Sequence, residues 1–230
     1  MVTPDRFAQG MTFEQYAAFV GTPENLAREG SFNRPRTDYS GFLRKAYDAA
    51  HLSEAHQEAL KWLTAQPGGP ARVLVISEEW SSDCRRDVPM LARMADVAGW
   101  ELRIFTRDGR RMSTAPAPDP KEQPNADLVA QFLRTRDGQT FQSIPIAAFY
   151  TEDFRHLYTY TEFPAVYHKD RLVGAIRAPR AGESKDESQE RGLRDFFAFQ
   201  ATPFFRILAC AAADEIISML HERLRVGSLA

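Results

Sequence analysis

One cysteine lies where its thiol could do chemistry. Cys84 ends the segment Trp80–Cys84 (Trp-Ser-Ser-Asp-Cys), which follows an apolar run and precedes a helical pattern. Free amide N–H groups and the positive dipole end at the start of a helix stabilise a thiolate over a thiol. We therefore expect the pKa of the Cys84 thiol to be lowered. Arg85 and Arg86 add to this effect and Asp83 opposes it, so the sign of their combined contribution stays open.

Two strands and a helix are predicted around this cysteine. Residues 72–77 form a β-branched apolar run typical of a strand buried on both faces. Apolar residues between positions 90 and 97 recur at helical spacing, and residues 101–106 alternate as a second strand. A strand, a helix and a second strand within about 35 residues are typical of a unit whose two strands pair in parallel. We therefore predict an open α/β sheet.

Further elements are predicted after this unit. Asn125 should cap a helix that runs through residue 133 and ends at Asp137-Gly138. Residues 143–150 and 155–161 should pair as an antiparallel hairpin. We also expect a second hairpin from segments 165–167 and 172–176, and a charged connector at residues 178–190.

The chain divides into three predicted regions. Capping signals at Thr12, Thr22 and Ser53 indicate several short helices. The regions are a helical extension (1–69), a central domain (70–177) with a Pro-rich insertion (113–125), and a linker with C-terminal helices (178–230).

The final helices are predicted at 191–200 and 203–225. The second carries an apolar stripe that either packs on the body of the chain or forms a homodimer interface. The stripe comprises Phe205, Leu208, Ala212, Ile216, Met219 and Leu220.

Composition narrows the classes of function. The chain has 230 residues and a net charge of −2, so it offers no global field for nucleic acid or an anionic membrane. Two cysteines, Cys84 and Cys210, exclude a disulfide-stapled scaffold and a four-cysteine zinc site. Neither a signal peptide nor a membrane segment is evident, so we expect a cytoplasmic protein. No metal or cofactor is predicted.

Two carboxylates precede the motif. Glu78 and Glu79 follow the buried strand directly. Beside Trp80 they could act as paired catalytic carboxylates, but alternation along a strand favours one at the rim of a site and the other in solvent.

The pattern resembles the thioredoxin-fold family, whose bacterial thioredoxin-like branch carries Trp-Cys-x-x-Cys on a strand-to-helix turn. Trp80 matches the tryptophan, Ser81 the first cysteine and Cys84 the second. Pro89 matches the proline that kinks the active-site helix. Ile144-Pro145 matches the isoleucine and cis-proline that face the motif. The resemblance implies a thioredoxin-like α/β fold: a central mixed sheet flanked by helices, with helical N- and C-terminal extensions.

The departures from the family pattern bear on function. The attacking cysteine is replaced by Ser81, whose hydroxyl has no comparable thiolate chemistry at neutral pH. The position of the family's buried acid holds Val75. We therefore predict no dithiol–disulfide exchange at this motif. Cys210 could replace the missing partner of Cys84 only with a Cα separation below about 7 Å.

Four functions remain open, and it stays open whether the protein is an enzyme. The first is a redox-inactive or redox-related module that binds a protein, a peptide or a small thiol in a groove. The second is one-thiol chemistry at Cys84, as a sensor or peroxidase-like oxidoreductase in redox homeostasis. The others are a glutathione-transferase-like use of Ser81 and a scaffold. The predicted groove comprises Trp80, Ser81, Ser82, Asp83, Ile144 and Pro145.

Overall fold

A four-stranded mixed sheet forms the centre of the protein. The computed structural model describes residues 2–31 and 34–225. Its strands are β1 (Arg72–Ser77), β2 (Glu101–Thr106), β3 (Arg134–Arg136), β4 (Gln139–Phe141), β5 (Ile146–Tyr150) and β6 (His156–Thr161). The main sheet has the order β2-β1-β5-β6, and β3 pairs only with β4.

Helices lie before, within and after this sheet. The helices are α1 (Pro4–Ala8), α2 (Phe13–Val20), α3 (Pro23–Leu26), α4 (Ser40–Ala49), α5 (Glu54–Thr64), α6 (Ser82–Ala98), α7 (Ala126–Val129), α8 (Lys169–Arg177), α9 (Lys185–Gln200) and α10 (Pro203–Arg225).

The strand pairing confirms the predicted α/β class. Strand β1 pairs with β2 in parallel and with β5 in antiparallel orientation, and β5 pairs with β6 in antiparallel orientation. Side chains of β1 from Val73 to Ser77 are all buried, as expected for a strand covered on both faces. The fold therefore places the end of β1 and the start of α6 at the same edge of the sheet.

The N-terminal helices begin where their capping residues predict. Thr12 and Ser53 form complete capping boxes, and Thr22 caps α3 with Pro23 in its first turn. These helices bury Phe7, Tyr16 and other side chains in the same hydrophobic core as the strands. The N-terminal region is thus packed onto the sheet.

The region after the Pro-rich insertion differs from the prediction. The expected helix through residue 133 is shortened to α7 and a 3-10 turn (Ala130–Phe132). Strands β3 and β4 follow, joined by Asp137-Gly138, where both residues have positive φ. Asp-Gly favours this two-residue hairpin turn, whereas the sequence-based prediction interprets the dipeptide as the end of a helix.

The predicted second hairpin is wrong. Residues 165–167 form a 3-10 turn and residues 169–177 form α8. Leu172, Val173 and Ile176 fit one helix face as well as a strand, and packing of α8 against α9 decides for the helix. The connector is also shorter than predicted, because Ser184 caps α9 with a full capping box.

Helix α10 packs on the body of the chain. It contacts α5, α6 and β6, and it buries Ala212, Ile216 and Leu220 of the predicted stripe. The other three residues of the stripe, Phe205, Leu208 and Met219, are partly exposed, and the homodimer stays a prediction. The last five residues of the predicted C-terminal region, 226–230, lie outside the described residues.

Within the described ranges, no single helix has the length and apolar composition needed to cross a membrane. Helices α9 and α10 meet that test only as a pair, and they are bent by 71° relative to each other.

Candidate functional site

The motif lies on the turn between β1 and α6. Ser81 is the N-cap of α6, and its Oγ accepts a hydrogen bond from the Cys84 backbone N–H at 3.5 Å. Cys84 lies in the first turn and Pro89 lies inside the helix, as the sequence predicts. The Trp80 indole N–H donates to the Asp108 carboxylate at 3.0 Å. Ser81 thus serves as the capping residue of α6, at the position where the resemblance expects the first cysteine.

The expected lowering of the Cys84 pKa is wrong. Burial raises the pKa of this thiol to about 12, although hydrogen bonds from Ser77, Ser81 and the Glu78 backbone favour the thiolate. Only 1% of Cys84 is exposed. Removal of the sulfur from water therefore outweighs the position at the helix start.

The segment before strand β5 faces the motif. The Ile144–Pro145 peptide bond is cis. Pro145 is buried, and its carbonyl accepts a hydrogen bond from Glu162 N–H at 2.7 Å. Within the described ranges, the backbone groups of Ser143 and Ile144 make no hydrogen bond. The chain thus presents free donors and acceptors beside the motif.

A groove of about 980 Å³ lies above the start of α6. We call it the motif groove. Trp80, Ser81, Ser82, Asp83 and Ile144 contribute to its lining, whereas Cys84 and Pro145 do not. The structure therefore brings five of the six predicted groove residues to one surface and places the thiol beneath it.

The first side of the groove is the N-terminal wall, residues 34–39. Ion pairs of the fully buried Arg36 side chain attach this wall to the end of β1. Arg36, whose side chain has 0% exposure, contacts Glu78 at 2.6 Å and Glu79 at 2.8 Å. Arg28 adds a second ion pair to Glu78 at 2.8 Å. The wall is thus fixed by charges at the bottom of the site.

These contacts correct the prediction for the two carboxylates. Glu78 and Glu79 are both buried, with exposures of 0% and 1%. Burial raises the pKa of Glu78, and the cations Arg28 and Arg36 oppose that rise. The strand is covered on both faces, so alternation along it does not lead one residue to solvent.

The opposite side of the groove is the helical wall, residues 169–200. Lys169, in the first turn of α8, makes ion pairs with Asp83 and with Glu162. Asp83 also pairs with Arg86 at 2.7 Å. A second pair, between Arg136 and Asp170, lies on the surface at 2.6 Å. This wall is therefore attached through partly exposed charges.

Arg85 is a further residue of the groove that the sequence does not predict. It is 8% exposed, lines the groove, and its guanidinium lies 4.1 Å from the centre of the Tyr39 ring. Burial lowers the pKa of Arg85, while nearby Tyr39 and acidic groups raise it. In the sequence, only its position directly after Cys84 indicates a role in the groove. Arginines are scattered along the whole chain, so residue type alone does not single out Arg85.

Cys210 and His56 do not line the groove. Cys210 and Cys84 are both free thiols. His56 bonds to Asp214, on a face formed by α5 and α10. Across the residues that the structure describes, no group of histidines, cysteines and carboxylates could hold a metal ion.

Comparisons with known proteins agree with this architecture. A family model described as thioredoxin matches residues 32–117, which contain β1, the motif, α6 and β2. A protein of unknown function from Pseudomonas aeruginosa and an HIV epitope scaffold have similar structures. Each has a TM-score of 0.51 and 16% identity, over 96% of this chain and 98% of its own. No curated protein matches the chain. The fold is thioredoxin-like, and the structural likeness includes the terminal helices.

Proposed function

We propose that this protein is a cytoplasmic binding module that holds an extended segment of a partner protein in the motif groove without dithiol exchange. The observation that carries the proposal is the state of the motif. Ser81 stands where the reaction needs a thiolate, and Cys84 lies beneath the groove surface with a raised pKa. The groove is thus retained without the chemistry of the family.

The free backbone beside Pro145 supports an extended peptide as the occupant. Ser143 and Ile144 belong to the groove lining, and no backbone partner for their N–H and C=O groups lies in the described part of the chain. An extended chain satisfies such groups by adding a short strand-like contact. The volume of about 980 Å³ is near the upper end of small-molecule pockets, and a peptide of several residues can occupy it.

One-thiol redox chemistry at Cys84 is disfavoured by the same geometry. A sensor or peroxidatic cysteine needs an accessible thiolate, and Cys84 offers neither access nor a low pKa. Sulfenic acid formation in the native protein at moderate peroxide would reverse this preference.

The groove can be tested with a pool of fluorescein-labelled degenerate decapeptides. We expect the wild-type protein to retain a subset of the pool. Ser82→Trp, which fills the groove at a half-buried lining residue, should abolish retention. Ser218→Trp on the exposed face of α10 is the matched control and should retain the same subset. Equal retention of peptides by both variants would exclude the groove as the binding site. The absence of dithiol exchange has a separate test: reduction of insulin by the wild-type protein would contradict it.

A further inference from the structure

The motif groove concentrates positive charge in a chain whose net charge is −2. Its lining contains two acidic side chains, Asp83 and Glu162. The lining also contains six basic residues, of which Arg36 has a fully buried side chain: Arg34, Arg36, Arg85, Arg107, Lys169 and Arg177. A cleft lined mainly by one sign of charge attracts ligands of the opposite sign.

Half of these cations are already neutralised. Arg36 pairs with two glutamates, Arg107 pairs with Asp108, and Lys169 pairs with both acids of the groove. For the other three, the described residues provide no ion pair. These three are Arg34, Arg85 and Arg177.

Arg85 is the most buried of the three and is held in place. Its Nη1 donates to the carbonyls of Glu79 at 2.7 Å and Trp80 at 2.9 Å. Its Nε and Nη2 have no hydrogen-bond partner in the described part of the chain. These two nitrogens form the edge of a guanidinium that binds a carboxylate through two parallel hydrogen bonds.

A second unpartnered donor lies beneath the groove, on the fully buried side chain of Arg36. Within the described ranges, Nη2 of Arg36 has no hydrogen-bond partner, and a carboxylate oxygen of Asp108 lies 3.8 Å from it. Among the described residues, Arg36 Nη2 is thus a buried donor without a partner, whereas Nε and Nη2 of Arg85 are the unpartnered donors at the groove lining. The two free nitrogens of Arg85 favour a ligand that accepts hydrogen bonds.

We infer that the motif groove selects peptides with acidic side chains and that Arg85 binds one of their carboxylates. The inference rests on the proposed function, because it names the class of peptide that the same groove takes. Arg34 on the N-terminal wall and Arg177 on the helical wall add positive charge around that carboxylate. Arg85 is thus a specificity-determining residue.

Three fluorescein-labelled decapeptide pools test this inference. They are identical except that four fixed positions carry Glu, Gln or Lys. By fluorescence anisotropy in low salt, the Glu pool should bind about tenfold or more tightly than the Gln pool, as expected for charge-assisted hydrogen bonds. The Lys pool should bind more weakly than the Gln pool. The preference for Glu should shrink as salt is added.

Variants assign the preference to a residue. Arg85→Gln should reduce the ratio of Glu-pool to Gln-pool affinity to near one while binding of the Gln pool persists. Arg155→Gln removes the same charge from the exposed β5–β6 turn and should leave the ratio unchanged. Arg177→Gln, at an exposed groove residue, should reduce the ratio of Glu-pool to Gln-pool affinity partly. This variant provides the test if circular dichroism shows that Arg85→Gln is unfolded.

The outcomes separate the two proposals. If all three pools bind equally well and Ser82→Trp abolishes their binding, the acidic preference is overturned and the peptide groove stands. If no pool binds, both proposals fail. An undiminished Glu preference in folded Arg85→Gln and in Arg177→Gln overturns the role of these arginines.

Discussion

The two walls of the motif groove are held by different kinds of ion pair. Arg36 attaches the N-terminal wall to Glu78 and Glu79 with side-chain exposures of 0–1%. Lys169 attaches the helical wall to Asp83 and Glu162 with exposures between 5% and 22%. The first wall is therefore tied by fully desolvated charges and the second by partly hydrated ones.

This difference determines how firmly each wall is fixed. A buried charge that loses its partner cannot regain water without local unfolding, so the N-terminal wall cannot separate from β1 at low cost. A hydrated ion pair can exchange its partner for water at little cost. The groove thus has one side that is part of the core and one side that can adjust to an occupant.

The largest effect is expected for Arg36→Met. This change leaves Glu78 and Glu79 buried with fewer counter-charges and should lower the free energy of unfolding by about 3–5 kcal/mol. Urea unfolding followed by circular dichroism measures the change. Arg44→Met, which removes an exposed pair to Glu14 at 3.6 Å, is the control and should cost less than about 1 kcal/mol. Similar values for both variants would contradict a fixed N-terminal wall.

The next effect concerns Cys84, which lies beneath the groove. Because its pKa is raised from 9.0 to about 12, ionisation alone should slow alkylation about a thousandfold near pH 8 relative to the unfolded chain. The native rate should rise about tenfold per pH unit up to pH 10 without a plateau. Iodoacetamide labelling followed by mass spectrometry, in a Cys210→Ala background, measures these rates.

Iodoacetamide labelling of Cys84 also tests whether loosening one wall exposes the thiol. Lys169→Met loosens only the helical wall and should leave the Cys84 rate unchanged. A plateau below pH 9 in the wild type would show a lowered pKa and restore one-thiol chemistry as a function.

A smaller loss of stability is expected for Lys169→Met. Asp83 keeps Arg86 as a partner and Glu162 keeps Arg134. We expect a loss of about 1–2 kcal/mol, between the values for buried and exposed pairs. Limited proteolysis should then cut first within residues 169–200. First cleavage within residues 34–39 instead would reverse the assignment of the two walls.

The smallest effect is expected for Arg136→Met. Its pair with Asp170 joins the β3–β4 hairpin to α8, and both side chains are at least half exposed. Removal should change the free energy of unfolding by less than about 1 kcal/mol. Thermal unfolding at low and high salt checks this, since the small difference from wild type should vanish in high salt.

Local signals along the chain predicted much of the fold. Capping boxes at Thr12 and Ser53, the apolar run of β1 and the alternation of β2 depend on neighbouring residues, and the structure confirms them. The strand-to-helix turn that carries Ser81 and Cys84 was equally predictable. The prediction of a strand at α8 fails because local signals do not decide there. The short apolar pattern fits a helix as well as a strand, and contact with α9 selects the helix.

The identity of the motif residues was determined by sequence alone. A serine at position 81 cannot supply a thiolate in any fold, because that is a property of its side chain. Tertiary structure alone decided the state of Cys84 and the partners of Glu78 and Glu79. Desolvation and ion pairing depend on what the rest of the chain places around a group, and Arg36 is 42 residues away from Glu78.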